Sequence, residues 1–509
     1  MMRYGEALDI LAQLEGVPEP EAAGWVSAKF EYVVACQMYH PFKASDEPKV
    51  RDPTKVAHID ALRHRFPARL RVAYVEVLGQ GKEASFASVL LGADPERPGT
   101  DVVLYKVKLP GNPILGEGKP ENQNQAVIFT RGEHLQTLDM NQDNYLGEAY
   151  KMRNLLECFK GRVRIVGFRE HIFSESGGAV ANFSANNEFV FGTMVQRFLT
   201  WPLCVRFHYG HPDMWDKVWA LSSGGVSKAS RTLHVSEDIF AGLNAVLRGG
   251  GVEYEEYIHC GKARDITFAA ANSFEQKISG GNAWQGMSRD FHRAASSFDL
   301  FRLLSLFVTG TGLFATSSLM FWALGWFTLA LTGFALVGLE SFTVDGDDVY
   351  FDVSGSGGSE VYSAQWFVQL GFTLVFPLFL ENAGTMGLLA ALKAIGAQLL
   401  GFKFLFTIFQ ERTRAYYLHQ GLTLGSAQYI ATGRGYTMSS NFVKLFSWYA
   451  RSHFYCGIEL LFMTLNYYAF TSSGGRHFTA AYSFAPLLAN TWPVLLVALS
   501  MWFSPWIFD

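Results

Sequence analysis

The densest set of groups able to handle a charged, hydroxyl-rich substrate is Gly116-Glu-Gly-Lys119-Pro-Glu-Asn122-Gln-Asn124, followed by Asp139-Met-Asn141-Gln-Asp143-Asn144. A glycine-flanked lysine beside carboxylates can offset diphosphate charge, and a carboxylate can hold sugar hydroxyls or a metal. It is not a Walker A loop: Pro113 stands where the first glycine is needed, and Pro120 where Ser or Thr is needed. The same residues also describe a solvated surface loop, and spacing alone leaves both open.

Leu233-His-Val-Ser236-Glu237-Asp238 has the form of a helix N-terminus, with Ser236 as N-cap and acids in the first turn. Two adjacent acids can also push one pKa upward, leaving a carboxylate to act as general base on an attacking hydroxyl. His208-Tyr-Gly-His211-Pro-Asp213 lacks an obvious further metal ligand. It reads as a tight turn whose imidazoles line a pocket or bond the backbone. Lys277, and Gln285-Gly-Met-Ser-Arg289, come just before an amphipathic approach to an apolar half. Their cations could hold diphosphate or anchor among lipid headgroups.

Several elements must position these groups. Alternation over Arg71–Val77 and Asp101–Val107 predicts two strands, with turn-prone stretches at Gly79–Glu83 and Ala93–Gly99. Asn144 opens a helix to about Phe159, Val163–Phe173 is a strand, and a helix from Asp238 to Leu247 stops at Gly249-Gly-Gly251. The polar stretch 174–187 reads as a loop over a cleft. Strands alternating with helices imply an α/β domain.

The 509 residues are 49% hydrophobic and 15% aromatic, with only 17% charged. Charges are plentiful to Arg302 and thin out afterwards, so residues 1–300 form a polar half and 301–509 a membrane half. Residues 303–339 carry no charge, and about 20 apolar residues suffice to span a bilayer. Four spans are expected, at about 313–336, 361–380, 455–472 and 484–504. Lys393 and Lys403 make 386–409 an amphipathic interfacial helix instead. The loop after the first span holds Asp345, Asp347, Asp348 and Asp352, whereas the next holds Lys393, Lys403, Arg412, Arg414, Arg434, Lys444 and Arg451. By the positive-inside rule the first loop is outside and the polar half cytosolic. A net charge of −4 with no basic stripe gives no sign of nucleic-acid binding. The five scattered cysteines imply neither a zinc site nor a disulfide framework.

The ordered blocks Arg71-Val-Ala-Tyr74, Leu109-Pro-Gly-Asn112, Asn122-Gln-Asn124, Thr130-Arg-Gly-Glu133, Asp139–Leu146, Val166–Glu170, Phe207–Asp213, Gly224–Lys228, Asn244–Gly250, Cys260–Asp265 and Thr432–Gly435 resemble the β-1,3-glucan (callose) synthases of plants and fungi. That resemblance implies an inverting GT-A-type glycosyltransferase. Such an enzyme uses UDP-glucose as donor and passes the growing β-1,3-glucan across the plasma membrane. By motif position Lys119 and Lys277 are similar to the diphosphate-binding lysines, with Asn122 in the same substrate-binding block. Asp139 resembles the acid beside the nucleotide-sugar. Glu237, with Asp238, resembles the catalytic acid pair, Glu237 being the base, and Gln285 and Arg289 resemble an acceptor-side motif. A divalent ion such as Mg2+, a small GTPase regulator and a homo-oligomer all stay open. Relatives carry hundreds of further residues before this region, so the chain is expected to be a partial one. Two rivals are a tethered partner that binds glucan or nucleotide-sugar without turnover, and a transporter. The transporter is disfavoured because only Glu459 sits near a span.

Overall fold

The computed structural model describes residues 3–508 apart from 46, 80, 95, 98, 117, 206–210, 231–235, 265, 338–340, 346–347, 353–363, 426–440 and 474–483. His208, the 233–235 and 432–435 segments, and the start of the span expected from 361 lie outside the described residues.

Two sheets build the first half. The first has the order β1-β2-β3-β4, formed by Tyr32–Ala35, Leu70–Leu78, Ser85–Ala93 and Asp101–Leu109. Here β1 runs parallel to β2, and the other pairs are antiparallel. The two expected strands are present, but β3 lies between them. The sequence reading missed β3 because Val89, Leu90 and Leu91 form a continuous apolar run without alternation, and all three are buried. The second sheet has the order β5-β8-β7-β9-β6, with strands His134–Gln136, Gln142–Asp143 (β6), Val163–Ile172 (β7), Met214–Asp216 (β8) and Gly251–Lys262 (β9). Its central pair, β7 and β9, is parallel, and β7 is nearly continuously buried, as a strand covered on both faces must be. The helix Leu146–Leu156 agrees with expectation to within its ends.

Helix Glu237–Leu247 packs Ala241 and Ala245 onto Ile165, Trp215 and Val252 of this sheet. Its other face, Phe240 and Leu243, meets Ala294 and Leu306 on the helices Arg289–Ser297 and Leu300–Thr309. The acids at its N-terminus are thereby held between the sheet and the helices that lead to the apolar half.

The polar stretch read as a loop over 174–187 is instead a short turn, Glu175–Gly177, followed by the helix Ala179–Phe189. Gly177 and Gly178 disguise its start. Its face of Val180 and Phe183 packs with Phe268, Phe406 and Phe409. Its asparagines reach the opposite half, Asn182 accepting from Lys403 Nζ and Asn187 donating to Gln410.

Helix Phe268–Met287 joins the two halves. Thr267 caps its start, Oγ1 accepting from the Ala270 N–H at 3.2 Å. It packs along the helix Lys403–Leu424, and a Cβ added at Gly421 would overlap Ala283. Small residues thus let the two backbones approach closely. Glu275 fixes the register, accepting from Gln410 at 2.5 Å and from Arg414 Nε at 2.9 Å.

In the second half the long helices are Thr311–Val337, Ala364–Met386, Lys403–Leu424, Tyr455–Ser473 and Phe484–Phe508. Among the described residues, Thr311–Gly333 and Thr491–Phe508 are long and apolar enough to cross a membrane. The single helix expected over 386–409 is two, Leu388–Leu400 and Lys403–Leu424, bent by 71°. The chain turns between them at Phe402, which has φ +52°. Counted as one broken span, this pair makes a third candidate.

Candidate active site

The Lys119 loop is built by a carboxylate. Glu121 Oε1 accepts from the N–H groups of Leu115 and Gly116 at 2.9 and 2.7 Å, and Oε2 from that of Gly118 at 3.0 Å. Gly118, at φ +91°, starts the helix Lys119–Val127 in a conformation glycine adopts without strain. This turn sends Lys119 to Asp139 Oδ1 at 3.3 Å and to Glu237 Oε1 at 3.7 Å.

Each following residue of this helix faces a different neighbour. Asn122 is buried and lines a pocket of about 440 Å³ with Gln37, Asn112, Val75 and Phe86. Gln123 Nε2 lies 2.8 Å from His211 Nε2. Asn124 holds the Gly224–Lys228 segment, donating to the Ser227 carbonyl at 2.6 Å and accepting from the Val226 N–H at 3.0 Å. That segment backs the catalytic candidate, since the Lys228 N–H donates to the Glu237 carbonyl at 3.2 Å.

Gly225 has φ +87°, and a Cβ there would overlap the Asn124 amide. Gly225→Ala therefore combines backbone strain with loss of the Asn124 bonds. A destabilisation of about 2–4 kcal/mol is expected, measured as a lowered denaturation midpoint.

Glu237 is 4% exposed. Burial, then the neighbouring Asp238, push its carboxyl above the ordinary range, while Lys119 and Lys277 pull against them. Among the described residues its buried Oε2 has no hydrogen-bond partner, in contrast to the general rule for such atoms. Burial alone would raise Asp139 too, but His211, Lys119 and Lys262 outweigh it and hold that carboxyl at about 2. Lys119 is held above the usual lysine value: burial opposes its charge, but Asp238, Asp139 and Glu237 together outweigh that. The neighbouring carboxyls thus diverge, Asp139 kept ionised and Glu237 made more basic.

Gln285 is buried and donates to Ser236 Oγ at 2.9 Å. Ser236 was expected to cap the Glu237 helix with its side chain, and it makes no such bond; its hydroxyl is engaged by Gln285. Arg289 stays outside this cluster, exposed at the first turn of its own helix. The adjacent Asp290 is buried and pairs with Lys228.

Among the described residues no three His, Cys, Asp or Glu side chains are grouped to hold a metal ion. Lys119 lies between Asp139 and Glu237, and its ammonium supplies the positive charge there.

A family model described as 1,3-beta-glucan synthase component matches residues 1–509. The chain belongs to the 1,3-beta-glucan synthase family. Callose synthase 7 of Arabidopsis thaliana is 38% identical over 494 residues, covering 94% of this chain and 24% of that protein. Callose synthase 9 is 38% identical over 531 residues, covering 100% of this chain and 27% of the relative. Callose synthase 12 is 41% identical over 445 residues, covering 86% and 24%. The chain thus spans about a quarter of the length of these curated relatives.

The roles of two members of this cluster escaped the sequence reading. Glu121 sits in the same block as Lys119, but its role in folding the loop depends on three backbone N–H groups that no spacing reveals. His211, read as part of a turn whose imidazoles line a pocket or bond the backbone, lies 3.9 Å from Asp139 and 3.7 Å from Asp238 through Nδ1. Its buried polar neighbours come from segments far apart in the chain.

Proposed function

We propose that this chain carries the catalytic site of a processive, inverting glycosyltransferase that extends β-1,3-glucan from UDP-glucose. The observation that supports it best is Glu237, a buried carboxylate with a raised pKa and an unsatisfied Oε2, next to a lysine of the strongest polar block. The acceptor's 3-hydroxyl oxygen attacks C1 of the donor glucose from the face opposite the leaving group. Glu237 takes the hydroxyl proton, the C1–O bond to UDP breaks, and the bonding pair leaves on the diphosphate. One displacement inverts the anomeric carbon, so a base is needed and no covalent nucleophile.

Lys119 and Lys277 take the growing charge of the leaving diphosphate. Asp139 binds donor-sugar hydroxyls, and Gln285 lies on the acceptor side, with Arg289 at its outer edge. The pocket lined by Gln37, Asn112 and Asn122 suits the nucleoside, offering amides for the base edge and apolar walls for its faces. We assign residues 1–300 to a cytosolic GT-A-like domain and 301–509 to a multi-pass region of the plasma membrane. Four spans are assigned to the helices Thr311–Val337, Ala364–Met386, Tyr455–Ser473 and Phe484–Phe508, through which the glucan leaves. The charge asymmetry of the loops supports this topology.

The raised Glu237 carboxyl sets a pH dependence. A base must be ionised, and a raised pKa means it is lost on acidification sooner than an ordinary carboxylate. Polymer formation is therefore expected to fall on the acid side with an apparent pKa above the usual glutamate value of about 4.3. Radiolabelled UDP-glucose incorporation across pH measures this. An acid limb at or below the ordinary value would remove Glu237 as the base.

A further inference from the structure

We propose that His211 is a positioning residue of this site, and that Gln123 sets the tautomer in which it works; the proposal rests on the glycosyltransferase reading above. His211 is 2% exposed and stands between carboxylates from two distant segments. Its Nδ1 is 3.9 Å from Asp139 Oδ1 and 3.7 Å from Asp238 Oδ2. On the far side of the ring, Gln123 Nε2 is 2.8 Å from Nε2. With the amide nitrogen placed toward the ring it donates, that ring nitrogen accepts, and the ring hydrogen is carried on Nδ1. It then faces the gap between the two acids.

The backbone is anchored as firmly. The His211 carbonyl accepts from Gln142 Nε2 at 2.5 Å, and Gln142 Oε1 accepts from the Asp139 N–H at 2.9 Å. The same amide nitrogen reaches Glu170 at 2.8 Å, itself paired with Lys262 at 3.1 Å. One side chain, Gln142, therefore ties the His211 turn to the Asp139 segment, while the imidazole reaches from Asp139 across to Asp238.

The consequence is a division of labour among the acids. The Nδ1 hydrogen draws Asp238 toward Asp139 and stabilises it as a carboxylate. A proton arriving at the Glu237/Asp238 pair is then directed to Glu237, the more deeply buried of the two. His211 touches no reacting atom here; it acts through the two aspartates.

The test uses the protein in its full-length membrane context, with UDP-glucose as substrate. Asparagine can place an N–H near the position of Nδ1, whereas glutamine places its amide near Nε2. His211→Ala and His211→Gln are expected to lower kcat by about 10- to 100-fold, the loss of an N–H that faces two carboxylates and closes on them in the substrate complex. The KM for UDP-glucose should stay within about threefold, because the lysines hold the diphosphate. His211→Asn should recover most of kcat. Adding Gln123→Ala to His211→Ala should cost little more, since the two act as one unit.

A role in packing alone would make glutamine, nearer to histidine in size, at least as good as asparagine. Glutamine rescuing as well as asparagine, or wild-type kcat in both the alanine and glutamine variants, overturns the proposal. If the alanine variant fails to accumulate, the asparagine-versus-glutamine comparison decides. Glu237→Gln serves as the reference. Full synthesis by it removes the underlying glycosyltransferase assignment, whereas its inactivity beside unaffected His211 variants overturns only the role of His211.

Discussion

Glu237→Gln is expected to reduce glucan synthesis by about a hundred- to ten-thousand-fold, the range that a positioned general base contributes. Glutamine keeps the shape of the side chain and leaves the helix Glu237–Leu247 packed on the sheet and on Ala294. What it removes is the ability to accept the hydroxyl proton. Donor binding should survive, since Lys119 stays beside Asp139 at 3.3 Å and Lys277 is untouched. One fewer negative charge faces the incoming diphosphate, so affinity for UDP-glucose should be equal or higher. The matching measurements are radiolabel incorporation and equilibrium binding of UDP-glucose. Turnover near wild type would take the base away from Glu237.

Lys119→Ala should act differently, on kcat/KM as a whole. Lys119 is the cation that three acids, Asp238, Asp139 and Glu237, hold in its charged form. Truncating one partner of this partly buried charge cluster costs about 2–3 kcal/mol, or roughly thirty- to a hundred-and-fifty-fold in kcat/KM. The loss is shared between donor affinity and turnover, because the same ammonium binds the diphosphate and stabilises it as it leaves. Removing Lys119 also removes a force that lowers the Glu237 carboxyl. The residual activity should therefore show its acid limb at higher pH than wild type. Lys119→Arg keeps the charge but presents a planar fork, and partial recovery is expected. An alanine variant with unchanged kcat/KM would place the diphosphate elsewhere.

Much of this site could be read from local chemistry. Lys119 and Asp139 stood out because glycines, prolines and acids cluster there, and the structure brings them together with Glu237. The strands at 71–77, 101–107 and 163–173 followed from alternation or length. The strand Ser85–Ala93 did not, because burial on both faces erases the alternating pattern. The helix Ala179–Phe189 was hidden by its glycines and polar residues, whose partners Lys403 and Gln410 lie more than two hundred positions away. His211 was visible as a residue but not as a neighbour of Asp139 and Asp238. Ser236 looked like a cap until Gln285, 49 positions on, claimed its hydroxyl. Arg289 was placed with Gln285 by motif resemblance, and after the helix break at Ser288 it lies exposed at the start of its own helix.

Product chemistry is the most direct test of the whole proposal. Membranes containing the protein in its full-length context are supplied with radiolabelled UDP-glucose, and the insoluble product is treated with an endo-1,3-β-glucanase. Label in insoluble polymer that the glucanase releases, absent from the Glu237→Gln membranes, is the expected result. Label in a glucanase-resistant product, or equal label in both membranes, would contradict it.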